Sequence, residues 1–600
     1  MSEKTAQADP RTEYTQRLEA RRRVVARYDS IHIRLGNIQL GVAAITGLIA
    51  WLAFGHGMLS GLWLIAPGTV FLILAIYHER VLRARASADR AVRFYRGGLD
   101  RINNEWAGKG EPGERFQDES HPYAADLDLF GRGGLFELMS TARTRAGEEA
   151  LARWLMAPAT LAEIRDRHAA VEELRHRIDL REDLALLGDE VRSGLDSEPL
   201  PRWGEQPPIL DSPLLRATAT ALAVVALAAL ASWWFFGVTP KMLVAVLALQ
   251  AAFGLLMRRR VLDVVQAVEH PAHDLTLMAQ VLVRLEREKF SSPRLAELRA
   301  VLEIRGHPPS WHIARLNRLI ELLESRDHVL VRVIGPPLMW TTQLAFAIEA
   351  WRKRSGPAVR RWIAAVGEIG ALLSLAGYAY EHPGDPFPEF TEDGPSFDGE
   401  GLAHPLIGGD RCVRNSVRLG DDLRVLVVSG SNMSGKSTLL RTVGVNAVLA
   451  MAGAPVRARR LRLSPFVIGA TIRITDSLQA GNSRFYVEIT RLRQLMDLTR
   501  GPRPLLFLLD ELLHGTNSKD RRIGGEAVVR SLVERGAAGL LTTHDLALAH
   551  IAETLAPRGA NVHFEDHLED GKITFDYTMR PGVVEKSNAL GLMRSIGLEV

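Results

Sequence analysis

The sequence predicts a helical chain with two apolar hairpins, followed by an α/β domain. Three observations predict it. Four long uncharged runs come in two pairs, and each pair is closed by arginines. The segments between and after the pairs are rich in Leu, Ala, Glu and Arg at helical spacing. The last part of the chain alternates short apolar, β-branched runs with glycine-containing loops.

At 600 residues the chain is long enough for several domains. Its net charge of +4 permits nucleic acid or anionic lipid as a partner and demands neither. A single cysteine, Cys412, excludes an intramolecular disulfide and fits a reducing compartment. No motif surrounds Cys412, so it reads as a small apolar residue.

Residues 1–34 are polar and basic. The uncharged runs Leu35–Phe54 and Leu59–Tyr77 follow, separated by a short break. Each is close to the roughly 20 residues that cross a bilayer core. Arg21, Arg22, Arg23, Arg27 and Arg34 precede the pair, and Arg80, Arg83 and Arg85 follow it, while the connecting loop has none. The positive-inside rule therefore predicts a transmembrane hairpin over 35–77 with both ends in the cytoplasm. The alternative is a helical hairpin buried in a soluble core. A second hairpin is expected over 211–257, from Ala217–Phe236 and the shorter Met242–Met257, closed by Arg258, Arg259 and Arg260. An interfacial or core helix pair is the alternative there.

Residues 78–210 and 258–393 read as helical. In the first, Ile164, His168, Val171 and Leu174 recur at helical spacing. In the second, Val329–Trp351 is apolar but interrupted by Arg332, Pro336, Pro337 and Glu349, which argues for core or interface rather than a fifth span. A Pro-rich linker, His382–Pro388, leads to a nucleotide domain expected over 394–600.

That domain carries the chemistry. Val425–Val428 reads as a buried strand, and Gly430, Ser431, Asn432, Met433, Ser434, Gly435, Lys436 and Ser437 then fit the phosphate-loop pattern G-x-x-x-x-G-K-[ST]. A helix begins at Thr438. Backbone N–H groups of such a loop, with the helix N-terminus, cradle phosphates. Lys436 can reach the β- and γ-phosphates, and the Ser437 hydroxyl can ligate Mg²⁺. Downstream, Leu505–Leu509 is an apolar run ending in Asp510 and Glu511. Asp510 is a candidate second Mg²⁺ ligand, and Glu511 a candidate base for the attacking water. Gly539–Thr543 is another apolar strand, ending in His544, which can sense the γ-phosphate or hold the water. Between them lie two polar loops, one with Gly481, Asn482 and Ser483, the other with Gly515 and Thr516. The order of these pieces is that of an ABC-type ATPase, in which two nucleotide domains sandwich ATP. Ser483 would then act on ATP held by the partner, so a homodimer is expected.

These residues resemble the MutS family of mismatch-repair ATPases. Ser429–Thr438 resembles T-G-P-N-M-G-G-K-S-T, including the Asn432-Met433 pair. Asp476–Glu488 resembles D-x-L-x-x-G-x-S-T-F-x-x-E, Leu509–Thr516 resembles L-D-E-x-x-x-G-T, and Thr543-His544 its T-H. His404-Pro405 matches the H-P that opens the domain, and Trp154 to Val171 resembles W-L-x-x-P followed by I-x-x-R-x-x-x-V. The resemblance implies ATP and Mg²⁺ as cofactors, DNA as a partner and repair-related DNA processing. It departs in having Ser431 and Ser434 where the family has Pro and Gly, in hydrophobic hairpins where MutS has soluble domains, and in showing no F-x-E wedge. The expectation is a membrane-anchored MutS-like ATPase without the mismatch-reading domain, in the cytoplasmic membrane, with the lipid bilayer as a further partner. Arg352, Arg354, Arg360 and Arg361 offer only scattered positive charge for DNA. The rival expectation is an ATP-driven transport or remodelling machine, although the four runs contain no charged residue.

Overall fold

The computed structural model describes residues 9–187, 198–304, 306–325, 329–431, 433–473, 484–513, 516–544, 546–569 and 572–584. The chain divides into two compact units, one formed by 1–141, 151–178 and 372–600, the other by 142–150 and 179–371.

In the first unit, helices Pro10–Ala50 and Ile65–Ile102 form an antiparallel hairpin. Both run well past the apolar runs, because the flanking basic segments are also helical. The first helix has 41 residues and so is about 60 Å long. The polar end of the hairpin is packed: Tyr14, Leu18, Val92, Tyr95, Ile178 and Tyr380 form one buried cluster. Beneath it the buried Glu381 accepts two hydrogen bonds from Arg101, at 2.7 and 2.6 Å. At the other end Leu40, Leu48, Trp51, Leu62, Trp63 and Leu72 are exposed.

The predicted helical patterning within 78–210 is realised in this unit by Leu161–Leu174, where Ile164, Val171 and Leu174 are fully buried. Thr160 and Glu163 close its start with a reciprocal capping box. Arg167 lies with its guanidinium 3.9 Å from the Trp154 ring centroid and donates to Ala452 O at 3.1 Å.

The second unit is helical. Pro213–Phe236 and Lys241–Glu286 form its hairpin, and Pro309–Glu324 packs along the latter. Of the four scattered arginines named above, two are tied up here, while Arg354 and Arg361 are exposed. Arg352 is buried, 2.7 Å from Glu349, and donates to Pro207 O; Arg360 forks onto Glu205. Arg352 is therefore a structural core cation, not part of a basic face.

Among the described residues, five helices are long and apolar enough to cross a membrane by length and composition. The apolar windows of Pro10–Gly55 and Gly61–Ile102 are 0% buried, and those of Pro213–Phe236 and Lys241–Glu286 are 17% and 11% buried. The apolar window of the fifth, Trp340–Glu381, is 83% buried.

The last part of the chain holds two sheets. The smaller has four strands: β1 (Glu389–Phe390), β2 (Phe397–Leu402), β3 (Asn415–Leu419) and β5 (Arg460–Leu463), in the order β1-β5-β2-β3. The larger has six: β4 (Val425–Ser429), β6 (Val467–Thr471), β7 (Leu505–Asp510), β8 (Ala538–Thr543), β9 (Gly559–Glu569) and β10 (Lys572–Pro581). Its order is β10-β9-β4-β8-β7-β6, parallel except for β10. The continuous apolar runs in β4, β7 and β8 follow from this: a parallel strand is covered on both faces. Val425, Val427, Phe507, Leu509 and Leu541 are all fully buried.

Candidate functional site

The sheet brings the sequence-predicted residues together at one edge. Parallel pairing sets Ser429 opposite Thr543 and Asp510 opposite Thr542. The ends of β4 and β7 are thus two strand spacings apart, about 10 Å. The loop after β4, the carboxylates after β7 and His544 after β8 open on the same side.

The phosphate loop is shaped by two glycines. Gly430 has φ +150°, and a Cβ there would lie 2.8 Å from Ser434 Oγ and 3.0 Å from Phe564 O. Gly435 has φ +104° and starts the helix Lys436–Ala452. Lys436 is buried, and its Nζ donates to Gly430 O at 2.7 Å and Ser431 O at 2.8 Å. Burial pulls its pKa below the usual lysine range, while the charges of Glu511 and Asp510 oppose that shift. Two buried hydroxyl oxygens in the loop, Ser431 Oγ and Ser434 Oγ, have no hydrogen-bond partner among the described residues. A loop with orphaned hydroxyls, a helix N-terminus and a lysine fits a phosphate. Met433 sits at the loop tip with φ +69°, exposed.

The carboxylates are held by a residue that the sequence did not single out. Thr542, fully buried, donates its hydroxyl hydrogen to Asp510 Oδ1 and accepts the N–H of Glu511 at 3.1 Å. Glu511 and Leu513 both have positive φ, +48° and +56°, in the turn after β7. Such strain in non-glycine residues persists only where the surroundings enforce it. Buried Glu488 supplies part of that by accepting the Leu513 N–H. His544 Nδ1 lies 3.1 Å from Glu511 Oε1, so the candidate base and the candidate sensor touch.

Lys436, Ser437, Thr438, Asp510 and Glu511 line a cavity of about 870 Å³, together with His404, Ile407, Val413, Asn415 and Tyr577. Tyr577 has φ +53° in a bulge of β10. Asn415 holds that bulge, donating to Tyr577 O at 3.0 Å and accepting from Met579 N at 2.8 Å. Cys412 also faces the cavity and accepts the His404 N–H through sulfur. Burial pushes His404 down to about 4, so it is neutral.

Asn432 and Ser483 lie outside the described residues, as do Asp476 to Asn482 and Gly515. The chain entering that segment is anchored from far away. Asp126, buried, accepts the N–H groups of Ile472 and Arg473 at 2.6 and 2.7 Å. Arg491 donates to His121 O at 2.7 Å, and Ala470 N to Pro122 O at 2.9 Å. No spacing in the sequence signals Asp126, because its partners lie more than three hundred residues away.

Residues 426–599 match the family model described as MutS domain V. A protein called DNA mismatch repair protein MutS 2, from Halobacterium salinarum, is 32% identical over 256 residues, which is 41% of this chain and 29% of that protein. The DNA mismatch repair protein MutS of Myxococcus xanthus is 29% identical over 556 residues, covering 84% of this chain and 59% of its own length. The endonuclease MutS2 of Thermus thermophilus is 33% identical over 203 residues, or 32% of this chain and 25% of the relative. Residues 426–599 are thus similar to the ATPase domain of MutS proteins. The Myxococcus MutS match reaches well beyond domain V into the helical regions. The chain spans between 25% and 59% of the length of these three curated relatives.

Proposed function

We propose that this chain is a membrane-anchored, MutS-type ATP hydrolase that works as a homodimer and couples ATP turnover to DNA binding in mismatch repair or related DNA processing. The observation that carries the hydrolase reading is the convergence of Lys436, Asp510, Glu511 and His544 at one edge of the parallel sheet.

The roles follow from the donors and acceptors present. Backbone N–H groups of 430–438 and the Lys436 ammonium would hold the β- and γ-phosphates. Ser437 and Asp510 would hold Mg²⁺, which supplies charge neutralisation and Lewis acidity when bound. Glu511 accepts a proton from water, and His544, in contact with Oε1, fixes the carboxylate's orientation. Thr542 sets the positions of Asp510 and Glu511 together. Tyr577 and Val413, which also line the cavity, offer apolar area for a base. Ser483 of a second copy would complete the γ-phosphate site, which is why a homodimer belongs to the reading.

The membrane reading rests on the two hairpins. Their apolar windows lie almost wholly on the surface, whereas the apolar helix Trp340–Glu381 is buried. An exposed apolar face of that size marks an interaction with something apolar, and the arginine asymmetry orients both ends inward. The DNA reading rests on what the relatives are called.

The test is hydrolysis by the purified full-length protein with Mg²⁺ alone, then with duplex, branched or mismatched DNA. Mg²⁺-dependent turnover lost in Lys436→Ala supports the hydrolase. A rate that none of the three DNAs changes, with no DNA retained, removes the DNA part and leaves the hydrolase standing.

A further inference from the structure

The second unit contains a cavity that the nucleotide chemistry does not use. It has a volume of about 610 Å³ and lies between helix Lys241–Glu286 and the segment 331–342. That is the size of a small-molecule site.

Its polar groups are unbalanced. Gln250 is 5% exposed and faces the cavity. Its Nε2 donates to Leu222 O at 3.0 Å and Pro337 O at 2.9 Å, which uses both N–H groups. Its Oε1 is buried and has no partner among the described residues. Pro336 and Pro337 lie inside helix Val329–Leu338, so the carbonyls one turn earlier lose their helical donors. At the rim Arg332 is exposed and has no ion pair among the described residues. Thr341 and Thr342 add two hydroxyl groups, and the rest is mostly apolar. Leu247, Ala251 and Gly254 form one stripe of their helix, and Val331 and Gly335 face them across the cavity.

The surroundings decide between a soluble ligand and a lipid. The same helix exposes Leu255 and Leu256 and then carries Arg258, Arg259 and Arg260. Where such a surface lies in a bilayer, bulk water is not there to satisfy the Gln250 carbonyl. A ligand entering from the lipid phase must bring an anion for Arg332, a hydroxyl for Gln250 Oε1 and an apolar chain for the stripe.

We propose that this cavity binds an anionic glycerophospholipid with a hydroxyl-bearing head group, its phosphate on Arg332 and a hydroxyl donating to Gln250 Oε1. This rests on the membrane reading above. Trp340 lies in the cavity wall, with its indole N–H donating to Leu322 O at 2.7 Å, so it is a built-in reporter.

The experiment places the full-length protein in phosphatidylcholine nanodiscs containing a minor fraction of lipid brominated on its acyl chains. The signal is tryptophan quenching, with Trp340→Phe subtracted to isolate that ring. The expected result is several-fold stronger quenching by brominated phosphatidylglycerol than by the same fraction of brominated phosphatidylcholine. Arg332→Gln, an exposed position, should abolish that preference, and Gln250→Leu should reduce it. Equal quenching by both lipids, or a preference unchanged in Arg332→Gln, overturns the site and leaves the membrane reading intact. A protein that stays out of the discs overturns both.

Discussion

Replacing Thr542 by Val tests how the carboxylates are held. Valine keeps nearly the same volume and the β-branched shape, so the parallel strand should persist. The hydroxyl is fully buried and serves Asp510 and the Glu511 N–H together. The Glu511 N–H keeps a second acceptor, Thr542 O at 3.3 Å, so its loss is small. Asp510 loses a hydrogen bond to a charged group, worth about 1.5–3 kcal/mol, with the lower end favoured because Asp510 is only half-buried. If that bond positions the reacting groups, hydrolysis should fall roughly ten- to a hundredfold, since about 1.4 kcal/mol is tenfold in rate. The Lys436 loop is untouched, so KM for ATP should change little, while more Mg²⁺ should be needed. Steady-state hydrolysis against ATP and Mg²⁺ measures both. Thr542→Ser, which keeps the hydroxyl, should recover most of the rate. Wild-type turnover with unaltered Mg²⁺ dependence in Thr542→Val, or a serine variant as slow as the valine one, would refute the assignment.

The other predictions are shorter. Glu511→Gln should bind ATP but not turn it over, and should accumulate as a closed dimer in light scattering; Lys436→Ala should lose nucleotide affinity itself, and a Gln variant with normal turnover would remove Glu511 from the base role. Ser483→Ala should lower hydrolysis about ten- to a hundredfold through a lost charge-assisted bond of roughly 1.5–3 kcal/mol. Mixing it with Lys436→Ala protomers should restore part of the activity, and no restoration would speak against composite sites. Acid should destabilise the fold through His168. Burial lowers its pKa to about 4, so its contribution is full above the unfolded value near 6.5 and is lost as the pH falls towards 4. Between pH 7 and 5 this amounts to roughly 2 kcal/mol. His168 packs against Phe387, with ring centroids 4.6 Å apart and planes tilted by 43°, and its Nε2 has no partner among the described residues, so His168→Phe should flatten that slope in urea unfolding, and an unchanged slope would exclude it.

The parts of the site that the sequence reveals are those whose chemistry needs neighbouring residues. The phosphate loop is one continuous stretch, and Asp510, Glu511 and His544 stand out because each ends an apolar strand. What stays hidden depends on pairing. Thr542 looks like any threonine in a buried strand until β7 and β8 lie side by side. Asn415 and Tyr577 come from different sheets, and Asp126 from the opposite end of the chain. The same holds for the fold. The continuous apolar runs of β4, β7 and β8 announce a parallel sheet, whereas β2, with the sequence FDGEGL, shows no clear alternation. The hairpin helices run far past their apolar runs because the adjoining basic stretches gain helical order by packing, as Tyr14 does against Tyr95 and Tyr380. Arg352, read as surface charge, is a core cation because Glu349 lies one turn away on the same helix and Pro207 supplies a carbonyl.

The most direct test of a membrane-anchored ATPase is the side of the membrane on which each loop lies. Cysteines placed at Gly57 and Val238, after Cys412→Ser, should react with a membrane-impermeant maleimide in intact cells. A cysteine at Asp422, in an exposed loop of the nucleotide domain, should react only once the membrane is opened. That pattern is the one two inserted hairpins with a cytoplasmic ATPase require. Labelling of Gly57 and Val238 only after the membrane is opened, or recovery of the protein in the soluble fraction, would contradict it.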